Sequence, residues 1–108
     1  MKKNRSIYEI EVSQKFKKLG IKFEEEFRFD KKRKFRFDFI LKPIKVKIAV
    51  EIEGGTFMGN SRHGFGKGFE NDCLKYNLAA LQGWLILRYT PNLIPQLWKD
   101  LRILKVIK

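Results

Sequence analysis

The chain has 108 residues, enough for one domain around one hydrophobic core and too few for two ordinary domains, so a single site is expected. Hydrophobic residues at 44% and aromatic residues at 14%, among them ten Phe, exclude a disordered tail, and no apolar run approaches the ~20 residues needed to cross a bilayer. Lys plus Arg number 24 against 12 Asp plus Glu, a formal charge of +12 that points to a polyanionic partner. Aromatic and basic residues are interleaved, which favours nucleic acid over anionic lipid or an inert basic surface.

Met1-Lys-Lys-Asn-Arg is not followed by an apolar secretory core, so a cytoplasmic protein is expected. Ser6 to Leu19 reads as a helix, because Tyr8, Val12, Phe16 and Leu19 recur at helical spacing while Lys15, Lys17 and Lys18 lie off that stripe; Gly20 ends it. Ile21 to Phe29 reads as a strand, with Ile21, Phe23, Phe27 and Phe29 at even spacing around Glu24, Glu25 and Glu26. Asp30, Lys31, Lys32, Arg33 and Lys34 form an exposed turn.

From Phe35 to Leu41 alternation is strict, with Phe35, Phe37, Phe39 and Leu41 on one face and Arg36, Asp38 and Ile40 on the other. Pro43 breaks the run. Lys45 to Glu53 alternates again, setting Val46, Ile48, Val50 and Ile52 opposite Lys45, Lys47, Ala49, Glu51 and Glu53. Gly54 to Gly68 holds six of the eight glycines together with Arg62, His63 and Lys67, a basic loop of the kind that carries function. Phe69 to Gln82 reads as a second helix ended by Gly83; Cys73, the single cysteine, excludes an intrachain disulfide and a cysteine-based zinc site and is expected to be a small buried residue. Trp84 to Tyr89 is a continuous apolar run closed by Arg88-Tyr-Thr-Pro that suggests a buried central strand, and Leu93, Leu97, Leu101 and Leu104 mark a last helix. This order allows a mixed sheet with helices packed on it.

Three carboxylates stand out. Asp38 and Glu51 lie near the ends of strands expected to be neighbours, and Glu53 projects from the same face as Glu51, roughly 6–7 Å further along. Hydrolysis of a phosphodiester with a hard cation needs two or three carboxylate oxygens near one point. The plainer reading makes these residues the polar side of half-exposed strands. Against it, acidic residues are depleted from strands, and like charges gathered there repel without a cation.

Phe35-Arg-Phe-Asp-Phe followed by Val50-Glu-Ile-Glu-Gly-Gly resembles the core of the PD-(D/E)XK nuclease superfamily. Residues 61–77, Ser-Arg-His-Gly-Phe-Gly-Lys-Gly-Phe-Glu-Asn-Asp-Cys-Leu-Lys-Tyr-Asn, followed by Gly83-Trp-Leu-Ile-Leu-Arg-Tyr-Thr, are similar to small phage and prophage endonucleases, to relatives of the very-short-patch-repair endonuclease and to VRR-NUC-like nucleases. The resemblance covers nearly the whole chain. It implies a single nuclease domain over residues 1–108 with a restriction-endonuclease-like α/β core: helix, three strands, helix, strand and a C-terminal helix, the mixed four-stranded sheet being flanked by helices. It also implies a bacterial or phage-infected cell as the setting.

Carried over residue by residue, the resemblance implies that Asp38, Glu51 and the backbone carbonyl of Ile52 coordinate Mg²⁺ or Mn²⁺, and that Glu9 matches an extra acidic ligand. Ser6-Ile-Tyr-Glu9 equally spells a capping box. The superfamily has Lys two residues after the acidic ligand, where this chain has Glu53. Lys75 is the candidate to replace it, although it also reads as a solvated helix lysine three residues after Asp72. Glu53 could instead serve a second metal or act as a base. His63, in the loop where similar nucleases carry a histidine, could protonate the leaving oxygen or contact the phosphate; a lone loop histidine is otherwise incidental.

The expected activity is metal-dependent endonucleolytic hydrolysis of DNA, with in-line attack releasing a 3′ oxygen and leaving a 5′ phosphate. Lys31, Lys32, Arg33, Lys34, Arg62 and Lys67 are the expected phosphate contacts, with Lys2, Lys3 and Arg5 as an added arm. No segment reads as a recognition helix, finger or ribbon, so selectivity for a branch, nick or mismatch is expected over a long sequence. A two-fold homodimer would suit paired cuts, and the sequence leaves it open. The alternatives are a non-catalytic nucleic-acid-binding module with a nuclease-like fold and a basic structural protein of a ribonucleoprotein.

Overall fold

The computed structural model describes residues 6–42, 46–53 and 67–108. Helix α1 (Ile7–Lys18) starts at Ser6, whose hydroxyl accepts from the Glu9 amide at 3.1 Å while Glu9 Oε1 accepts from the Ser6 amide at 3.2 Å, the reciprocal capping box. It ends in a Schellman turn: Gly20, at φ 75°, lets its own amide reach Lys17 O and the Ile21 amide reach Phe16 O. Its buried stripe is Glu9, Val12, Ser13 and Phe16, whereas Tyr8 and Leu19 are 37% and 42% exposed. The helix is thus rotated from the expected stripe, because it docks through Phe16, whose ring meets Phe23, Phe39 and Trp98 at 5.2, 5.2 and 5.7 Å.

Strands β1 (Lys22–Asp30) and β2 (Phe35–Lys42) pair antiparallel around the exposed turn at 31–34, where the Asp30 carboxylate accepts from the Arg33 amide. Strand β3 (Lys47–Ile52) runs antiparallel to β2, and helix α2 (Lys67–Leu81) leads to β4 (Trp84–Tyr89), which runs parallel to β3. A short 3-10 turn (Pro91–Leu93) then opens α3 (Ile94–Ile103). The described residues form a mixed four-stranded sheet in the order β1-β2-β3-β4, with helices packed on it.

Two apolar clusters lie against the sheet. One gathers Val12 and Phe16 of α1, Leu97, Trp98 and Leu101 of α3, and Phe39, Leu41, Ile48, Val50 and Ile52 of the strands. The other gathers Phe37, Ile40 and Ala49 with Ala79 of α2, joined by Phe27, Phe29, Trp84 and Ile86. Strict alternation along β2 is therefore not kept: Phe37 packs with Ile40, while Phe39 and Leu41 serve the other cluster. The same break divides β1, where Phe23 packs with Phe39 and Phe27 and Phe29 pack on the α2 side. Its cause sits at Glu26, between the paired steps Glu25↔Phe39 and Phe27↔Phe37: a φ of 50° turns the hairpin over at that point. Asp38 stands across from this reversal.

Three further expectations are corrected. β4 is not central; it ends the sheet among the described residues, and it reads as apolar because Leu87 and Tyr89 face one cluster while Trp84 and Ile86 face the other. Along α3 the buried residues are Leu97, Trp98 and Leu101, with Leu93 and Leu104 exposed. Cys73 is exposed, since α2 turns Ala79 and not Cys73 to the sheet. Among the described residues no helix is long and apolar enough to cross a membrane.

Candidate active site

The β2–β3 ladder pairs Phe39 with Val50 and Ile40 with Ala49, and one step further brings Asp38 across from Glu51. Here side chains take over from the backbone. Glu51 Oε2 accepts from the Asp38 amide at 2.8 Å, and Asp38 Oδ2 accepts from the Ile52 amide at 2.8 Å. Each carboxylate thus accepts a charge-assisted bond from the opposing strand, holding both acids where the hairpin turns over.

Helix α2 supplies the remaining partners. Glu51, only 5% exposed, receives Lys75 Nζ and the Tyr76 hydroxyl on Oε1, both at 2.7 Å. Burial raises the Glu51 carboxyl above its ordinary 4.5; the Lys75 ammonium opposes this and the Asp38 charge adds to it. Burial and the Glu51 charge push the Tyr76 phenol far above its ordinary value, keeping it a proton donor. Glu53 Oε2 accepts from Arg88 Nε at 2.8 Å and lies 3.5 Å from the Tyr76 hydroxyl, while the Arg88 guanidinium stacks 4.2 Å over the Tyr76 ring. The hydrogen bond to Glu53 holds the Arg88 guanidinium charged beyond its ordinary range.

Tyr76 borders a cleft of about 410 Å³ that brings together Asp38, Glu51, Ile52, Glu53 and Lys75 of the expected site, with Lys34 at its rim and Arg88 outside its lining. Lys31, Lys32 and Arg33 are exposed on the adjoining turn. Glu9 is not among the cleft's lining residues; its Oε1 is bound in the capping box on α1. Arg62, His63, Lys2, Lys3 and Arg5 lie outside the described residues, as does the side chain of Lys67, whose backbone opens α2.

Sequence reasoning missed Tyr76, Arg88, Glu26, Arg36 and Asp72. A signal was present for two of them: Asp72, Lys75 and Tyr76, at i, i+3 and i+4, share one helix face, and Lys75 had already been singled out. Arg88 is the one charged residue of β4 and lies across from Glu51 in the parallel pairing.

The donor set suits a hard divalent ion. Among the described residues no group of three His, Cys, Asp or Glu is arranged to hold a metal, but Mg²⁺ commonly takes one or two carboxylates and completes its shell with water. Lys75 and Tyr76 use the lone pairs of Glu51 Oε1, while Oε2, which accepts from the Asp38 amide, has a second lone pair to offer a cation in the cleft it shares with Asp38 and Ile52. No protein-family model, curated protein or solved structure matches the chain, so the reading of this cleft rests on its own residues.

Proposed function

We propose that the protein is a metal-dependent endonuclease that hydrolyses DNA phosphodiester bonds, with selectivity for branched, nicked or mismatched structures, and that it belongs to the PD-(D/E)XK superfamily. The observation that carries the reading is the convergence of Asp38 and Glu51, from adjacent strands, on one cleft with an ammonium at 2.7 Å. The element order, helix, three strands, helix, strand and C-terminal helix, supports the restriction-endonuclease-like form of the fold.

Asp38, Glu51 and the Ile52 carbonyl would hold Mg²⁺ or Mn²⁺, which when bound supplies Lewis-acid polarisation of the phosphodiester and acidification of water. Lys75, whose ammonium is 2.7 Å from Glu51 Oε1, would supply the motif lysine's charge, orienting an attacking water and offsetting negative charge growing on the phosphate. Tyr76 fixes Glu51 by a second donor on the same oxygen. Lys34 at the rim, and Lys31, Lys32 and Arg33 on the turn beside it, hold the DNA backbone without reading bases. A homodimer would place two such clefts for paired cuts.

One observation favours the reading as a non-catalytic binding module: Lys75 and Arg88 already neutralise Glu51 and Glu53 without a cation. Cleavage of duplex, flap and four-way-junction DNA with Mg²⁺ or Mn²⁺ separates the two. Cutting that Asp38→Ala and Glu51→Ala abolish while DNA binding persists supports the nuclease; binding without cutting of any substrate by either ion removes it.

A further inference from the structure

We propose that Arg88 and Tyr76 are positioning residues that restrict the carboxylate cleft to one divalent ion by keeping Glu53 out of its coordination. The inference rests on the reading of Asp38 and Glu51 as the ion's ligands.

Asp38, Glu51 and Glu53 line one cleft, and three carboxylates in that space are the raw material of a two-ion centre, in which the ions lie ~3.5–4 Å apart and act on the attacking and leaving oxygens. The side chains around Glu53 work against that outcome. Arg88 Nε donates to Glu53 Oε2 at 2.8 Å, and a guanidinium keeps its charge at every accessible pH. Its other face is fixed by the Tyr76 ring 4.2 Å away. Arg88 can reach Glu53 because the parallel pairing sets Arg88 beside Glu51, and the Glu53 amide continues that ladder by donating to Tyr89 O at 2.7 Å.

The Tyr76 hydroxyl occupies the space between the two glutamates, 2.7 Å from Glu51 Oε1 and 3.5 Å from Glu53 Oε2. A second ion bridging Glu51 and Glu53 would need that space. Arg88 therefore supplies the positive charge, and Tyr76 the bridging donor, that a second cation would otherwise provide. Glu53, standing where a lysine is expected, then makes one wall of a one-ion site.

Calorimetric titration of the full chain with Mn²⁺, paired with electron paramagnetic resonance of the bound ion, tests this. One ion per chain is expected for the wild type and for Arg88→Lys, which keeps the charge. Arg88→Ala is expected to take two ions with a magnetically coupled spectrum, and adding Glu53→Gln to it should restore one. Tyr76→Phe, which leaves Arg88 on Glu53, should keep one ion and bind it roughly tenfold more weakly; if Arg88→Ala does not fold, Arg88→Gln, which removes the charge and keeps a polar side chain, decides the matter by taking two ions. Two ions on the wild type, one ion on a folded Arg88→Ala, or wild-type affinity in Tyr76→Phe would overturn the inference and leave Asp38 and Glu51 as ligands. No ion bound by the wild type would overturn both.

Discussion

Asp38 and Glu51 hold each other through the backbone: the Asp38 amide donates to Glu51, and the amide of Ile52, the residue after Glu51, donates to Asp38, both at 2.8 Å. The carboxylates that would bind a cation are therefore also the links that join β2 to β3 beyond Phe39↔Val50. On the proposed reading stability and cutting share the same atoms, and the substitution chosen determines which one is lost.

Asp38→Asn keeps an acceptor for the Ile52 amide and removes the charge. It should fold with nearly wild-type stability while cleavage falls roughly 100-fold or more, the equivalent of several kcal/mol of lost transition-state stabilisation. Asp38→Ala leaves the Ile52 amide without its acceptor and should additionally cost about 1–3 kcal/mol in urea unfolding. Equal stability losses in the two variants would show that the clasp does not hold the strands.

How much of this was legible in the sequence depends on which interaction decided each feature. The order of helices and strands followed from periodicity and glycine punctuation, and the strand pattern around Asp38 and Glu51 was enough to expect them as neighbours. The reversal of faces at Phe37 was not legible, because it arises from a positive φ at Glu26, a residue with no glycine's freedom to announce it. The edge position of β4 was hidden because cover on both faces yields the same apolar run as a central strand. Tyr76 was legible only as sharing a helix face with Asp72 and Lys75, and Arg88 enters through tertiary contact with Tyr76 across β4 and α2, which no local spacing encodes.

Lys75 and Glu51 are 16% and 7% exposed at their side chains, so the pair is shielded from solvent. Lys75→Met leaves Glu51 with the burial that raises its carboxyl and without the ammonium that opposes it. A loss of about 1–3 kcal/mol is expected in denaturant titration at neutral pH, together with loss of cutting. Wild-type cutting by this variant would remove Lys75 from the chemistry.

Tyr89 donates to Asp100 Oδ2 at 2.7 Å, and Gln96 donates to Oδ1 at 3.0 Å. The Tyr89 bond first, then Gln96, lowers the Asp100 carboxyl below its ordinary 3.8. A depressed carboxyl contributes stability above its unfolded value and loses it as pH falls through the folded one, so part of the acid destabilisation below about pH 4 comes from this pair. The Tyr89 phenol is raised by burial and by Asp100, so its contribution is complete below its ordinary 10.0 and is lost as pH rises past it. Tyr89→Phe should be less stable at pH 7 and show a flatter fall at both extremes when melting is followed from pH 3 to 11. A fall as steep as the wild type's at both ends would contradict the coupling.

Helix α3 closes as α1 does, with the Lys105 amide bonded to Arg102 O and the Val106 amide to Leu101 O, but the residue in the left-handed position is Lys105, at φ 63°, where α1 has Gly20. Lys105→Gly relieves the steric penalty of a Cβ in that region and should stabilise the fold by about 0.5–1 kcal/mol, seen as a higher thermal midpoint. A lower midpoint would mean that the lysine side chain contributes more at the helix end than its backbone costs.

Lys34 combines a rim position on the cleft with a φ of 62° at the end of the hairpin turn. Because asparagine tolerates the left-handed region, Lys34→Asn removes the charge without adding backbone strain. If Lys34 neutralises a DNA phosphate, the slope of log affinity against log salt should shrink by about 0.9 for this one substitution, with a uniform weakening across DNA sequences. Lys99→Ala, on the exposed side of α3 and outside the cleft lining, serves as the comparison and should leave the slope unchanged. An equal change in both slopes would assign the binding to net charge alone, and no change in either would detach the lysine-rich turn from DNA.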